Sequence, residues 1–139
     1  MTYATQSDMT DRFDEQEIIE LTDRTGAGVV NATVLGKALA DADALIDGYL
    51  AARYTLPLTY TPAILVGPAA DIARFRLWDD RATEEVRQRY EDAMAMLKLI
   101  SQGVVVLPPD VNGVLPVNAV GMDYYSQERV FTAETLEDF

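Results

Sequence analysis

The stretch NATVLGKALADADALIDGYLAARY, residues 31–54, decides the fold. Within it Leu35, Ala38, Leu39, Ala42, Leu45, Ile46, Tyr49 and Leu50 return at steps of three and one, the spacing that lines up side chains along one face of an α-helix. Lys37, Asp41, Asp43 and Asp47 fall largely off that face and read as solvated. Asn31 carries the short side-chain carbonyl that accepts from the first free amides of a helix. At the far end the β-branched Thr55 and Pro57 force a stop near Tyr54. A helix with one long apolar face must bury it against another element, so the rest of the chain has to supply partners.

Those partners are legible on both sides. After a loop over residues 55–61, Thr61 and Pro62 have the form of an N-cap followed by the first helical position, opening a helix to about Trp78. Pro68 lies inside it, which predicts either a kink over residues 66–68 or a short turn followed by a helix over residues 68–79. A further helix starts at Thr83, with Glu84 and Glu85 at the positive end of its dipole, and stops at Gly103. Its stripe of Val86, Tyr90, Ala93, Met94, Leu97 and Ile100 is widened by Met96 and Leu99, which predicts burial on two sides, by a neighbouring helix or another subunit. Ahead of the central helix, Thr5 with Asp8 and Asp14 with Glu17 mark two short helices, the second over residues 15–23 and ended by Gly26 and Gly28.

The fold class is therefore mainly α: a small bundle of four to five helices over residues 1–103. Residues 104–139 form a short β-hairpin or an extended C-terminal arm. Residues 104–107 are a β-branched run, Pro108, Pro109, Asp110, Asn112 and Gly113 make a turn, and Pro116 interrupts the second apolar run, over residues 114–120. From Met122 onward Tyr124, Tyr125, Phe131 and Phe139 stand among charges with neither helical nor strand period, the texture of a tail.

Charge divides the chain in the same way. The 139 residues hold 23 acids against 11 bases, a formal net charge of −12. Residues 1–31 carry seven acids and two arginines, residues 32–103 ten acids and eight bases, and residues 104–139 six acids and one arginine. Ten of the twelve excess charges therefore lie in the end segments, which predicts a nearly neutral packed centre with acidic, solvent- or partner-facing extremities. A protein that grips nucleic-acid phosphates needs the opposite balance. No run reaches the roughly 18–20 apolar residues of a membrane span, and the polar, acidic start does not resemble a signal peptide. The sequence thus predicts synthesis in the cytoplasm.

Two residue types are missing. Without Cys there is no thiolate nucleophile, zinc ribbon or disulfide framework, and without His there is no imidazole base or ligand. The options left for catalysis are a pair of carboxylates with or without Mg²⁺, a buried lysine (Lys37 or Lys98), or a tyrosine. The acids do not favour a metal site: Asp79-Asp80, Glu84-Glu85 and Glu91-Asp92 are adjacent and point about 100° apart on a helix. The loop from Asp23 to Gly28 has the outline of a calcium loop but places Ala27 where an oxygen donor is required, so it reads as a helix-ending turn. Arg74, Arg76, Arg81, Arg87 and Arg89 form the basic concentration, interleaved with acids, which predicts internal pairing or subunit contacts. No cofactor, catalytic residue or metal ligand is assigned. A Mg²⁺-dependent carboxylate enzyme and an acidic inhibitor that mimics DNA remain as alternative function classes.

The ordered string Leu21-Thr-Asp-Arg24, Ala38-Leu39-Ala-Asp41-Ala42, Ile46-Asp-Gly-Tyr-Leu-Ala51, Arg53-Tyr54, Leu56-Pro-Leu58, Ala70-Asp-Ile-Ala-Arg-Phe-Arg-Leu77 and Arg89-Tyr90-Glu91 resembles Mu-like phage and prophage proteins grouped with head-tail connectors, or adaptors. The likeness covers residues 3–107. The segment Glu128-Arg-Val-Phe131, through Leu136 and Phe139, is similar to the arm that ends many members. That resemblance implies a virion protein of the neck, assembled in the host cytoplasm. It implies a ring of copies of itself, commonly twelve, beneath the portal protein, docking a tail, stopper or tail-terminator protein, while DNA passes through unbound. It implies no enzymatic activity. The contact residues expected on that reading are Arg53, Tyr54, Arg74, Arg76, Tyr124, Tyr125, Arg129, Phe131 and Phe139.

Overall fold

The computed structural model describes residues 1–117, which fold as five α-helices with no strand among them. They are α1 (Gln6–Arg12), α2 (Glu15–Thr22), α3 (Ala32–Leu50), α4 (Ala63–Trp78) and α5 (Glu84–Ser101), with a 3₁₀ turn over Asp79–Arg81. Helices α3, α4 and α5 pack together as the body, and α1 and α2 lie across α3 and α4. Among the described residues no helix is long and apolar enough to cross a membrane.

The central stretch forms α3 as its pattern requires. Asn31 caps it by accepting from the amides of Thr33 (3.0 Å) and Val34 (3.3 Å), and Leu35, Ala38, Leu39, Ala42, Ile46 and Leu50 are buried. The helix ends at Leu50 rather than near Tyr54, and a closing turn follows in which the amides of Arg53 and Tyr54 both donate to the Leu50 carbonyl (3.0 and 2.8 Å). Tyr54, which closes this turn, is buried, at 6% exposure.

Helix α4 occupies the centre, in contact with all four other helices. Its core contribution is unusually small in volume: Ala69, Ala70 and Ala73 are fully buried beside Leu65, Ile72 and Leu77, which lets the neighbours approach closely. Pro68 does not split it; the helix is continuous through the proline, so the alternative of a turn followed by a helix from Pro68 does not occur. Two local facts make this possible. The preceding residue, Gly67, has no Cβ to clash with the proline ring, so it can take helical backbone angles. Position 68 also lies in the second turn, so a single hydrogen bond, to Ile64, is lost. The cap is Pro62 rather than Thr61, without a side-chain hydrogen bond, because Pro62 keeps an extended ψ of 132° and stays outside the helix.

Helix α5 has both expected ends. Thr83 accepts from the amide of Val86 (3.3 Å), and Gly103 takes a positive φ of 79° just past the last turn. Val86, Ala93, Leu97 and Ile100 are buried, while Tyr90, Met94 and Met96 are half-buried and Leu99 is 39% exposed. Tyr90 stacks on Phe75 of α4 with ring centroids 4.0 Å apart. The N-terminal helices follow the caps read from sequence, Thr5 with Asp8 in a reciprocal capping box and Asp14 accepting from Gln16 (3.2 Å). Glu17, however, leaves Asp14 uncapped in return and reaches Arg74 instead.

Beyond α5 the chain folds back over the end of the bundle. Leu107 is buried in the same core as the helices, so that core extends past residue 103. A tight turn closes at Asp110, whose amide donates to the Val114 carbonyl (2.9 Å) and whose carboxylate accepts from the amides of Asn112 and Val114 (both 2.8 Å). Of the two forms expected for this part, a hairpin ladder is absent among the described residues. Pro108, Pro109 and Pro116 have no amide to donate, and the flanks of the turn stay unpaired as strands.

Candidate interaction surfaces

Arg53 and Tyr54 follow α3 in its closing turn and meet the returning chain. The Tyr54 hydroxyl accepts from the buried amide of Leu107 (3.1 Å), and the Thr55 amide donates to the Val117 carbonyl (2.9 Å). Tyr60 adds a hydrogen bond from its hydroxyl to the Pro108 carbonyl. The Arg53 guanidinium lies over Gly103 so closely that a Cβ added there would meet Nη1 at 2.5 Å. Tyr54 is therefore a clamp within the chain.

The face that the clamp presents to water is apolar. Val104, Val106, Val111, Val114, Leu115 and Val117 are each more than half exposed, and Leu99 adjoins them through the turn in which its carbonyl receives the Val104 amide (3.0 Å). Isolated exposed valines are ordinary, but five valines and a leucine exposed within one short anchored segment are an apolar concentration. Of the two residues that widen the α5 stripe, Met96 is half-buried against the core and Leu99 is left 39% exposed, so burial on the second side is not completed within the described chain.

Arg74 is spent inside the fold as well. Its Nε and Nη2 donate to the two carboxylate oxygens of Glu17 (3.0 and 2.7 Å), its guanidinium carbon stands 4.4 Å above the Phe13 ring, and Nη1 is 3.9 Å from Glu85. One side chain thus joins α2, the α1–α2 junction and α5 to α4. Glu85 also pairs with Arg89 (3.2 Å), which fits the internal pairing read from the arginine cluster. Asp71 is held above the usual carboxylate range because burial outweighs the nearby charges of Arg89, Arg74 and Arg12.

Asp43 and Asp47 differ from their reading as solvated acids. Tyr3, 1% exposed, lies against them: its amide donates to Asp43 (2.9 Å) and its hydroxyl to Asp47 (2.5 Å). The i, i+4 spacing of the two acids is the signal that sequence offers; their partner comes from the N-terminus, forty or more residues earlier, and no local pattern pairs it with them. Burial raises the pKa of Asp43, and burial with the Asp47 bond raises that of Tyr3. The Asp23 loop is the helix-ending turn expected of it. Its carboxylate accepts from the amides of Gly28 (2.8 Å), Thr25, Gly26 and Ala27, which holds it below the usual range. Among the described residues no group of three acids comes together as a metal site.

Arg76 is the candidate contact residue that faces solvent most plainly, its side chain 42% exposed and 3.9 Å from Asp41. It borders an open cleft of about 430 Å³ between α3 and α4, floored by Val34, Ala38 and Leu77 and rimmed by Arg24, Lys37 and Arg76, with Asp41 as its acid. Tyr124, Tyr125, Arg129, Phe131 and Phe139 lie outside the described residues.

The family model described as Bacteriophage Mu, Gp36 matches residues 3–122, a span that runs from the Tyr3 clasp through the clamped segment. Gene product J of Escherichia phage Mu is 38% identical over 104 residues, covering 74% of each chain. The Mu-like prophage FluMu protein gp36 of Haemophilus influenzae is 33% identical over 105 residues, covering 76% of this chain and 74% of its own. With one family model spanning nearly all the described fold, and relatives of that identity across three quarters of the chain, this protein belongs to the Gp36 family of phage Mu and Mu-like prophages.

Proposed function

We propose that the chain is a structural head-tail connector: one subunit of a ring, of roughly twelve copies, seated beneath the portal protein of a phage capsid. In that place it extends the DNA conduit and offers a docking surface to a tail, stopper or tail-terminator protein, catalysing no reaction. It works at the neck of the virion after assembly in the host cytoplasm. The observation that carries the reading is the apolar patch on residues 104–117, because these side chains are held in water by the Tyr54, Thr55 and Tyr60 bonds instead of folding away. A ring gives every such patch a neighbour. The charge balance supports the same role, since a subunit with 23 acids and 11 bases repels phosphate and leaves DNA free to slide.

Quantitative mass spectrometry of purified virions tests this directly, with the protein expected at ring stoichiometry. Interrupting its gene is expected to leave DNA-filled heads and unattached tails. Complete infectious particles made without it would overturn the reading. At the patch, Val104→Asp with Val106→Asp is expected to block assembly into particles while changing stability by no more than about 0.5 kcal/mol, both positions being exposed.

A further inference from the structure

The cleft between α3 and α4 is electrostatically out of place. Arg24, Lys37 and Arg76 surround it against Asp41 alone, on a described surface whose acids outnumber bases by eighteen to ten. Neither Arg24 nor Lys37 forms an ion pair among the described residues, and the Arg76 contact to Asp41 is long and exposed at 3.9 Å. Beneath the cations the floor is apolar: Ala38 and Leu77 are buried and Val34 is half-buried. Such a site fits a ligand that is both anionic and apolar, and its volume suits one or more large side chains.

This chain contains such a segment. Residues 122–139 carry Asp123, Glu128, Glu134, Glu137 and Asp138 against Arg129, with Tyr124, Tyr125, Phe131, Leu136 and Phe139 among them. Its point of departure is known, because Val117 is tied to Thr55 beside the end of α3. Lys37 stands thirteen residues before Leu50, about 20 Å along α3 at 1.5 Å per residue, and Thr55 follows one closing turn beyond, so the span is on the order of 25 Å. An extended chain covers that in about eight residues, which brings Tyr125 and everything after it within reach of the cleft. Tethering also sets the local concentration of the segment in the millimolar range, so weak contacts suffice to hold it.

We propose that residues 122–139 dock in the Arg24, Lys37 and Arg76 cleft of their own subunit, acids on the cationic rim and aromatic side chains on the Val34, Ala38 and Leu77 floor. The arm is then parked on the free subunit and must leave the cleft to engage anything else. Docking in this cleft holds whether or not the subunit forms a ring.

The absence of cysteine gives a clean test in the full chain. A disulfide is allowed to form between Val34→Cys and Thr132→Cys, substitutions that leave every rim cation and arm acid in place. A control pair joins Thr132→Cys to Gln88→Cys on α5, and rates are normalised to each thiol's reaction with a neutral alkylating reagent. The expected result is an intramolecular disulfide that forms at least about tenfold faster than the control and falls to the control rate in 1 M salt, where the screening length is about 3 Å. Equal rates for the two pairs overturn the proposal, and so does a disulfide formed only between molecules. A second measurement needs no cysteine. In amide NMR spectra of the full chain, Arg24→Glu with Arg76→Glu is expected to shift the resonances of Tyr124, Tyr125 and Phe131, and unchanged resonances there count equally against docking.

Discussion

Gly103 shows how much a single position can carry. Its φ of 79° is the left-handed conformation that costs an ordinary residue about 1–2 kcal/mol, and the Arg53 guanidinium fills the space where a side chain would begin. The two penalties are separable. Arg53 is the end of a flexible chain and can move aside, whereas the backbone angle cannot change without unmaking the turn that redirects residues 104–107. Gly103→Ala is therefore expected to destabilise the protein by about 1–2 kcal/mol in chemical denaturation, and by nearly the same amount in an Arg53→Ala background. A loss that vanished in that background would assign the cost to the side-chain clash instead. Tyr54 works at the same corner by a different principle: Tyr54→Phe strands the buried Leu107 amide and is expected to cost about 1–2 kcal/mol.

Among the elements, α4 is the one on which the others depend, and Arg74 is its principal polar anchor. Replacing Arg74 with Met keeps much of the packing over Phe13 but leaves Glu17, itself only 20% exposed, without its partner. The expected loss is about 2–4 kcal/mol, with earlier hydrogen exchange in α1 and α2 than in α3 and α5. Uniform loss of protection across all helices would mean that the N-terminal pair is not a separable layer. The sequence announces the helices themselves well, because caps such as Asn31 and Thr83 and the single-face spacing of residues 35–50 are local signals. It announces their ends and partners less well. The stop at Leu50 goes with a turn closed by the buried Tyr54, and the continuity of α4 depends on Gly67 excusing Pro68. Glu17 reads as a cap because Asp14 is three residues away, while its true partner is fifty-seven residues distant. Of the candidate contact residues, Arg76 stands at the surface, whereas Tyr54 and Arg74 serve the interior. Amphipathic polar side chains look the same in sequence whether they face a partner or a neighbouring helix.

For the whole molecule, acidity makes stability depend on pH in two opposite ways. Burial raises the pKa of Asp43 and Asp71, so the folded state holds their protons more tightly than the unfolded chain does. Their contribution is fully present below the ordinary carboxylate value of 3.8 and is lost as pH rises through their folded values. Asp8 and Asp23 behave conversely: backbone amides depress both, so their contribution exists above 3.8 and disappears in stronger acid. Lowering the pH from 7 also relieves the repulsion of a net charge of −12. The melting temperature is therefore expected to rise from pH 7 to a maximum on the acidic side and then fall. In Asp43→Asn with Asp71→Asn the rise should be visibly flatter, and a melting temperature that declined steadily below pH 7 would contradict this account.

The clamp at the end of α3 also determines where a pull on the C-terminal segment is felt. Although that segment comes after α5 in the chain, from Leu107 onward its hydrogen bonds to the bundle run to Tyr54, Thr55 and Tyr60. Tension applied beyond Val117 therefore enters the body through the α3–α4 connection, and α5 is shielded from being unwound turn by turn from its own terminus. A tether routed in this way lets the chain bear a load beyond Val117 without surrendering the helix that precedes it.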